Sequence, residues 1–180
     1  YVLINTGKSH SSLTGLYAQV AEDMKAVSTY FGKQRLVDVD PQTFFSQKTQ
    51  IVTAVGEQAY SRAKHFFTEC ARVAEDEQAE KVGNQRKIVD LVNKSGESSR
   101  YDLKNCAAFE GDRSITDAID FAKRICPQAA ARVHGGGFAG TVLCVVPKVF
   151  VDDFVAKCRR KYGVKNVMTL SVRGVGTCAF

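Results

Sequence analysis

Val2, Leu3 and Ile4, set between Tyr1 and Asn5, make a short β-branched apolar run that predicts a buried strand at the start of the chain. Turn-forming residues occupy 5–12. Leu16, Val20, Met24, Val27 and Phe31 then recur at three- and four-residue intervals, the spacing of an amphipathic helix that ends near Gly32. Asp40 before Pro41 reads as an N-cap followed by proline in the first turn, opening a short helix through Phe45. From Gln47 onward Ile51, Val55, Ala59, Ala63, Phe66, Cys70 and Val73 keep helical spacing, with Glu69, Glu75, Asp76 and Glu80 on the polar side, which predicts one long helix or a bent pair.

Gly83 and Asn84 interrupt that pattern, and Ile88, Leu91 and Val92 mark a further helix expected to give out at Ser95 and Gly96, before a polar loop at 96–100. Ser114 with Asp117 three residues later has the form of a capping box for a helix carrying Ile115, Ala118, Ile119, Ala122 and Ile125, stopped by Pro127. Beyond it the pattern changes period. Residues 131–134 and 141–146 read as strands around a glycine loop; Phe150, Phe154, Val155 and Cys158 mark one more helix; 167–173 and 176–180 read as closing strands. Strands at both ends with helices between them predict an α+β fold, an antiparallel sheet with helices packed on one face, in a single domain over residues 1–180.

Composition narrows the function classes. Lys and Arg number 25 against 19 Asp and Glu, a net +6 that favours an anionic small ligand such as phosphate over nucleic acid. The basic run Lys157, Arg159, Arg160 and Lys161 beside Tyr162 sits where cations complement a helix C-terminus, so no nucleic-acid partner is expected. The longest apolar run, 142–147, is far below the roughly 18 residues of a membrane span, so no membrane partner is expected either. The six cysteines are never closer than fourteen residues and His10, His65 and His134 lack ligand spacing, which points to reduced thiols in a cytoplasmic protein without a metal site.

One segment calls for its own explanation: His134, Gly135, Gly136, Gly137, Phe138, Ala139, Gly140. Four glycines in six positions remove Cβ atoms and permit positive φ, so the backbone there is built either to meet an anion or another loop, or simply to turn a flexible hairpin. Gly135, Gly137 and Gly140 satisfy the spacing of the dinucleotide fingerprint, but the loop leads into a strand, not a helix, and no acidic residue stands about twenty positions on. The same run matches the loop that covers phosphates in protein kinases, yet no H-R-D or D-F-G follows, and no Gly-Lys-Ser/Thr completes a P-loop. From the residues alone the loop is phosphate-compatible and lies between strands.

Taken with its flanks, the segment from Ala131 to Thr141 resembles the third motif of the GHMP small-molecule kinases, in its galactokinase form. Further segments are similar in the same order: Val2-Leu3-Ile4-Asn5-Thr6 leading to His10-Ser11 and Tyr17; Arg62-Ala63-Lys64-His65 with Glu69 and Arg72-Val73; Leu91-Val92-Asn93-Lys94-Ser95; and Val172-Arg173 with Gly176. The resemblance runs over essentially all 180 residues. It implies a ferredoxin-like C-terminal domain of a sugar kinase that moves the γ-phosphoryl of ATP, with Mg²⁺, to a sugar hydroxyl, galactose becoming galactose 1-phosphate.

It also implies that the phosphate loop and the catalytic aspartate belong to an N-terminal domain of the same polypeptide, so that Tyr1 opens on an internal strand and this fragment holds no catalytic residue, binds neither ATP nor Mg²⁺ tightly and is inactive alone. Carried over residue by residue, Tyr17 becomes the tyrosine that touches the sugar, Ser11 the serine near the nucleotide, and Gly135, Gly136, Gly137, Phe138 and Gly140 the loop bracing the phosphate loop. The chain departs from the pattern at Leu16, where an acidic residue is usual, at Ala18-Gln19-Val20, which lacks arginines, at Lys94 in place of Glu and at Ala139 in place of Gly. Those departures leave open a second class, a non-catalytic sugar or nucleotide sensor or interaction module that keeps the kinase fold.

Overall fold

Strand β1, Val2–Asn5, alternates as a half-covered strand must: Val2 and Ile4 are fully buried while Leu3 and Asn5 are half-buried. The computed structural model, which describes residues 1–7 and 13–172, carries this alternation across a sheet ordered β2-β3-β1-β4. Strand β2 is Ala130–His134, β3 is Thr141–Val145 and β4 is Val167–Thr169, and every neighbouring pair is antiparallel. The register lines up Val133, Val142, Ile4 and Val167 in one inward row across all four strands. Helices α6, Ser114–Ile125, and α7, Val151–Tyr162, cover that face with Ile115, Ala118, Ile119, Ala122, Phe154, Val155 and Cys158. Full burial of each Val, Ile or Phe here contributes roughly 1.5–3 kcal/mol, which pins the register, since a one-residue slip would expose the row. Order and directions are those of a split βαβ pair, the ferredoxin-like arrangement.

Between β1 and β2 the chain builds a second core. Helices α1 (Thr14–Tyr30), α2 (Pro41–Ser46), α3 (Lys48–Val55) and α4 (Glu57–Lys81) bury Val27, Leu36, Val39, Phe44, Ile51, Tyr60 and Phe67 together. The Phe44 ring lies 4.9 Å from that of Tyr60 and 4.7 Å from that of Phe67. Asp40 caps α2 as expected, its Oδ2 accepting the Thr43 amide at 2.7 Å. The long apolar series is a bent pair: Gly56, at φ +92°, ends α3 and admits α4.

Three expectations are corrected. The polar stretch 96–100 is not a loop: α5, Gln85–Ser98, continues into a π-helical turn, Ser99–Leu103. Both serines of the stretch are buried, Ser98 against His65, thirty-three residues away, so local polarity misleads. Nor does Ser114 form a capping box. The Asp112 carboxylate accepts the Ser114 amide at 3.1 Å, Asp117 pairs with Arg113, and the Ser114 hydroxyl is buried without a hydrogen-bond partner. The last strand is also shorter than 167–173, and the expected strand 176–180 lies outside the described residues. Among the described residues no helix is long and apolar enough to cross a membrane.

Gly96 sits inside α5 because the helix rides directly on β2. A Cβ there would stand 2.8 Å from the Ala131 carbonyl oxygen and 3.1 Å from Arg132 Cβ. Gly96→Ala gains about 1 kcal/mol of helix propensity but forces helix and strand apart, so a net loss of roughly 1–2 kcal/mol is expected in urea unfolding. Unchanged or increased stability would show that α5 can retreat from β2 freely.

Candidate functional site

The glycine loop joins β2 to β3. His134, Gly135 and Gly136 are exposed, while Gly137, Phe138, Ala139 and Gly140 are buried. Of the readings open from the residues, a flexible hairpin is the one the packing excludes. The Tyr17 hydroxyl donates to the Gly137 carbonyl at 2.9 Å, the Asn105 side-chain amide donates to the Gly136 carbonyl at 3.1 Å, and the Phe138 amide donates to the Asn105 carbonyl at 2.5 Å. Thr6 fastens the far end, its amide and hydroxyl both donating to the Gly140 carbonyl at 2.9 and 2.8 Å. Two glycines are needed for these approaches. An added Cβ at Gly136 would stand 2.6 Å from the Tyr17 ring, and one at Gly137, where φ is +80°, would run into Asn105. Phe138 itself adopts φ +61°, an unfavourable conformation for a side-chain-bearing residue, offset by burial and by the Tyr17 ring edge-on at 5.4 Å.

Asn105 is the site residue that the sequence reading did not single out. It is 3% exposed, and it is brought inward by Lys104, whose left-handed backbone at φ +59° closes the π-helical turn. A lone Asn after a charged stretch carries no periodic signal. Only its position relative to a loop thirty-one residues away reveals it.

Arg62, His65, Glu69 and Arg72 share one face of α4, and each has a partner. Arg62 reaches Asp23 on α1 at 2.7 Å. Glu69 pairs with Arg72, accepts the Ser95 hydroxyl at 2.6 Å and lies 3.6 Å from Arg132 of β2, which itself donates to Ser95 at 2.6 Å. Burial pushes the Glu69 carboxyl up, but hydrogen bonds from Ser95 and Arg72 and the Arg72 charge outweigh it and hold the carboxyl below its ordinary value. His65 Nδ1 lies 3.0 Å from the Ser98 hydroxyl, which donates to Asp102 at 2.9 Å; Lys64 closes on the same carboxylate at 2.9 Å. Burial depresses the His65 pKa.

A cleft of about 450 Å³ runs between α1, α4 and the glycine loop, lined by Tyr17, Val20 and Met24, by His65, Phe66 and Val73, and by Leu103, Asn105, Gly135 and Gly136. Of the residues proposed from sequence, Tyr17, Gly135 and Gly136 thus meet at one wall, with Gly137, Phe138 and Gly140 buried behind it. Ser11 and His10 lie outside the described residues. Among the described residues, no group of three or more His, Cys, Asp or Glu side chains is placed to hold a metal ion.

The depressed His65 pKa fixes the sign of a pH effect. The unfolded chain takes up a proton near the ordinary value of 6.5, whereas the folded chain resists until lower pH. His65 therefore costs no stability above about 6.5 and destabilises the fold increasingly below it, through the depressed folded value. Thermal melts of the native chain should fall as pH drops from 6.5, and His65→Gln should flatten that segment of the profile. Parallel profiles would contradict the burial argument.

No family model matches the chain. Individual proteins do. A galactokinase of Actinobacillus pleuropneumoniae serotype 5b (strain L20) is 32% identical over 177 residues, covering 93% of this chain and 44% of that protein. Galactokinases of Glaesserella parasuis serovar 5 (strain SH0165) and Mannheimia succiniciproducens are 30% and 28% identical, covering 83% and 98% of this chain but 38% and 46% of their own lengths. The solved structure of Lactococcus lactis galactokinase complexed with galactose has the same fold, with a TM-score of 0.71 at 22% identity, over 93% of this chain and 43% of that one. The chain is thus a relative of the galactokinases over most of its own length, while spanning less than half of theirs.

Proposed function

We propose that this chain is the C-terminal domain of a galactokinase-like sugar kinase of the GHMP class, which transfers the γ-phosphoryl of ATP to a sugar hydroxyl and converts galactose to galactose 1-phosphate in the cytoplasm. The observation that carries the reading is the identity of about 30% with galactokinases, kept over 83–98% of the chain. In the reaction the sugar oxygen bonds to the γ-phosphorus as the bond to ADP breaks, and the hydroxyl proton passes to a carboxylate; positioning and charge neutralisation supply most of the catalysis. That carboxylate and the phosphate loop are assigned to an N-terminal domain of the full-length polypeptide. Mg²⁺ is assigned there too, since the described residues do not fit a metal; bound with ATP, it would neutralise phosphate charge.

This chain's share is the wall. Tyr17 presents its ring to the sugar while its hydroxyl proton is committed to Gly137, Ser11 lies near the nucleotide, and the loop of Gly135, Gly136, Gly137, Phe138 and Gly140 braces the phosphate loop from behind. Three fastenings of that loop, at Thr6, Tyr17 and Asn105, support a rigid rather than a closing role.

The test is a coupled assay with galactose and ATP. The 180-residue chain alone is expected to give no turnover, and the full-length polypeptide is expected to release ADP only when the sugar is present. Turnover by the short chain would contradict the division of labour. Galactose binding without turnover in the full-length polypeptide would establish the sensor reading instead, consistent with Leu16 and Ala18-Gln19-Val20 where galactokinases carry charged residues.

A further inference from the structure

Charge is divided unevenly along this chain. Residues 1–110 carry Lys and Arg in the same number as Asp and Glu, 14 of each, whereas residues 111–180 hold 11 Lys and Arg against 5 Asp and no Glu, so the whole excess of +6 lies in the later part. No acidic residue follows Asp153. The structure gathers much of that excess in one place. Arg159, Arg160 and Lys161 occupy the last turn of α7, Gly163 at φ +89° ends the helix, and Lys165 stands in the short turn Val164–Asn166 that follows. From α6, Arg124 lies 5.5 Å from the centre of the Phe121 ring, which Lys161 approaches at 4.2 Å, so the two helices bring their cations together. None of these five cations has an ion pair among the described residues. Of the carboxylates on the two helices, Asp117 pairs with Arg113, Asp120 with Arg100 and Asp153 with Lys157, and Asp152 stands in the first turn of α7, at its opposite end. A helix C-terminus presents about half a negative charge, so complementing the dipole accounts for one cation and leaves the others to be explained.

Such a surface calls for an anionic partner, and two features select its class. Phe121 and Tyr162, the rings among these cations, pack edge to face at 5.7 Å, and Lys161 lies over both, at 4.2 and 5.2 Å, so they offer no free face for bases to stack on. Val164, between Gly163 and Lys165, is 68% exposed. An exposed valine by itself is ordinary, but one set at a turn among unpaired cations matches the boundary between anionic headgroups and acyl chains. We propose that the end of α7 and the turn after it form a peripheral docking surface for anionic lipid. Docking of this kind needs no membrane span, so the short apolar runs of the chain do not oppose it, and no turnover enters it, so it is independent of the sugar-kinase reading.

Sedimentation with sucrose-loaded vesicles tests the proposal. The 180-residue chain is expected to bind vesicles of phosphatidylcholine containing about one-third phosphatidylserine, and not vesicles of phosphatidylcholine alone. Raising salt from about 0.1 M to about 1 M, which shortens the screening length from roughly 10 Å to 3 Å, should release it. Arg160→Gln with Lys165→Gln should weaken binding about 30-fold, roughly fivefold per cation removed. Both side chains are exposed, so the melting temperature should stay unchanged. Lys33→Gln with Arg86→Gln removes two exposed cations from the neutral part of the chain and should leave binding as it was. Val164→Ser should weaken binding to the vesicles without altering its salt dependence. Equal binding to the two kinds of vesicle, equal losses in the two double variants, or binding untouched by Val164→Ser would each overturn the proposal. Complete displacement from the vesicles by oligothymidylate at equal phosphate concentration would overturn it in favour of nucleic acid.

Discussion

The capture of loop carbonyls by side chains from elsewhere in the chain is the constraint on which the site depends. Gly136 and Gly137 turn their carbonyl oxygens toward Asn105 and Tyr17, and Gly140 gives its own to Thr6. A buried carbonyl left without a donor costs roughly 1–3 kcal/mol, so the bonds to Gly137 and Gly140 stabilise the hairpin, and all three dictate where its backbone runs. The donors come from just past the end of β1, from the first turn of α1 and from Asn105, two residues after the π-helical turn. The loop is therefore the place where the sheet and the helical lobe are registered against each other. Glycine is required at 136 and 137 because the donors come too close for any side chain, a different demand from the flexibility that a run of glycines usually signals.

Behind the loop, α4 serves as a polar spine. Its Arg62 bonds α1, its Lys64 and His65 bond the Ser98–Asp102 pair, and its Glu69 gathers Arg72, Ser95 and Arg132. Of these charges Arg62 is buried and the rest are partly exposed, and each is paired, so removing Asp23 from beside Arg62 carries the largest desolvation cost. The same arrangement explains why the π-helical turn exists: Ser98 and Asp102 are held from α4 while Lys104 reverses the backbone to bring Asn105 under the loop. A sequence motif that resembles those of galactokinases is thus, in physical terms, a fastening between the helical lobe and the edge of the sheet.

Much of this was legible from local pattern. The alternation at Val2 and Ile4, the helical spacing from Leu16 to Phe31, the Asp40-Pro41 cap and the strands around the glycine loop are set by neighbours within a turn or two, and the fold follows them. The places where reading failed share one cause. Residues 96–100 looked like a loop because Ser95, Ser98 and Ser99 are polar, and nothing nearby tells that Ser95 and Ser98 have partners on α4 or that Gly96 is packed on the backbone of β2. Ser114 looked like a cap, but the adjacent Asp112 carboxylate does that work. Asn105 was invisible for the same reason, and Tyr17, singled out through resemblance, takes its structural meaning from a bond 120 residues distant.

The Phe138 amide reports most directly on whether the loop is clamped, because its hydrogen bond to the Asn105 carbonyl forms only when the whole arrangement is in place. Native-state hydrogen exchange should find this amide protected to nearly the same degree as Val142 in the sheet core, and Tyr17→Phe should lower its protection while leaving Val142 unchanged. Rapid exchange at Phe138 in the unmodified chain would contradict the account, since it would mean that the glycine loop is the loose hairpin its composition resembles.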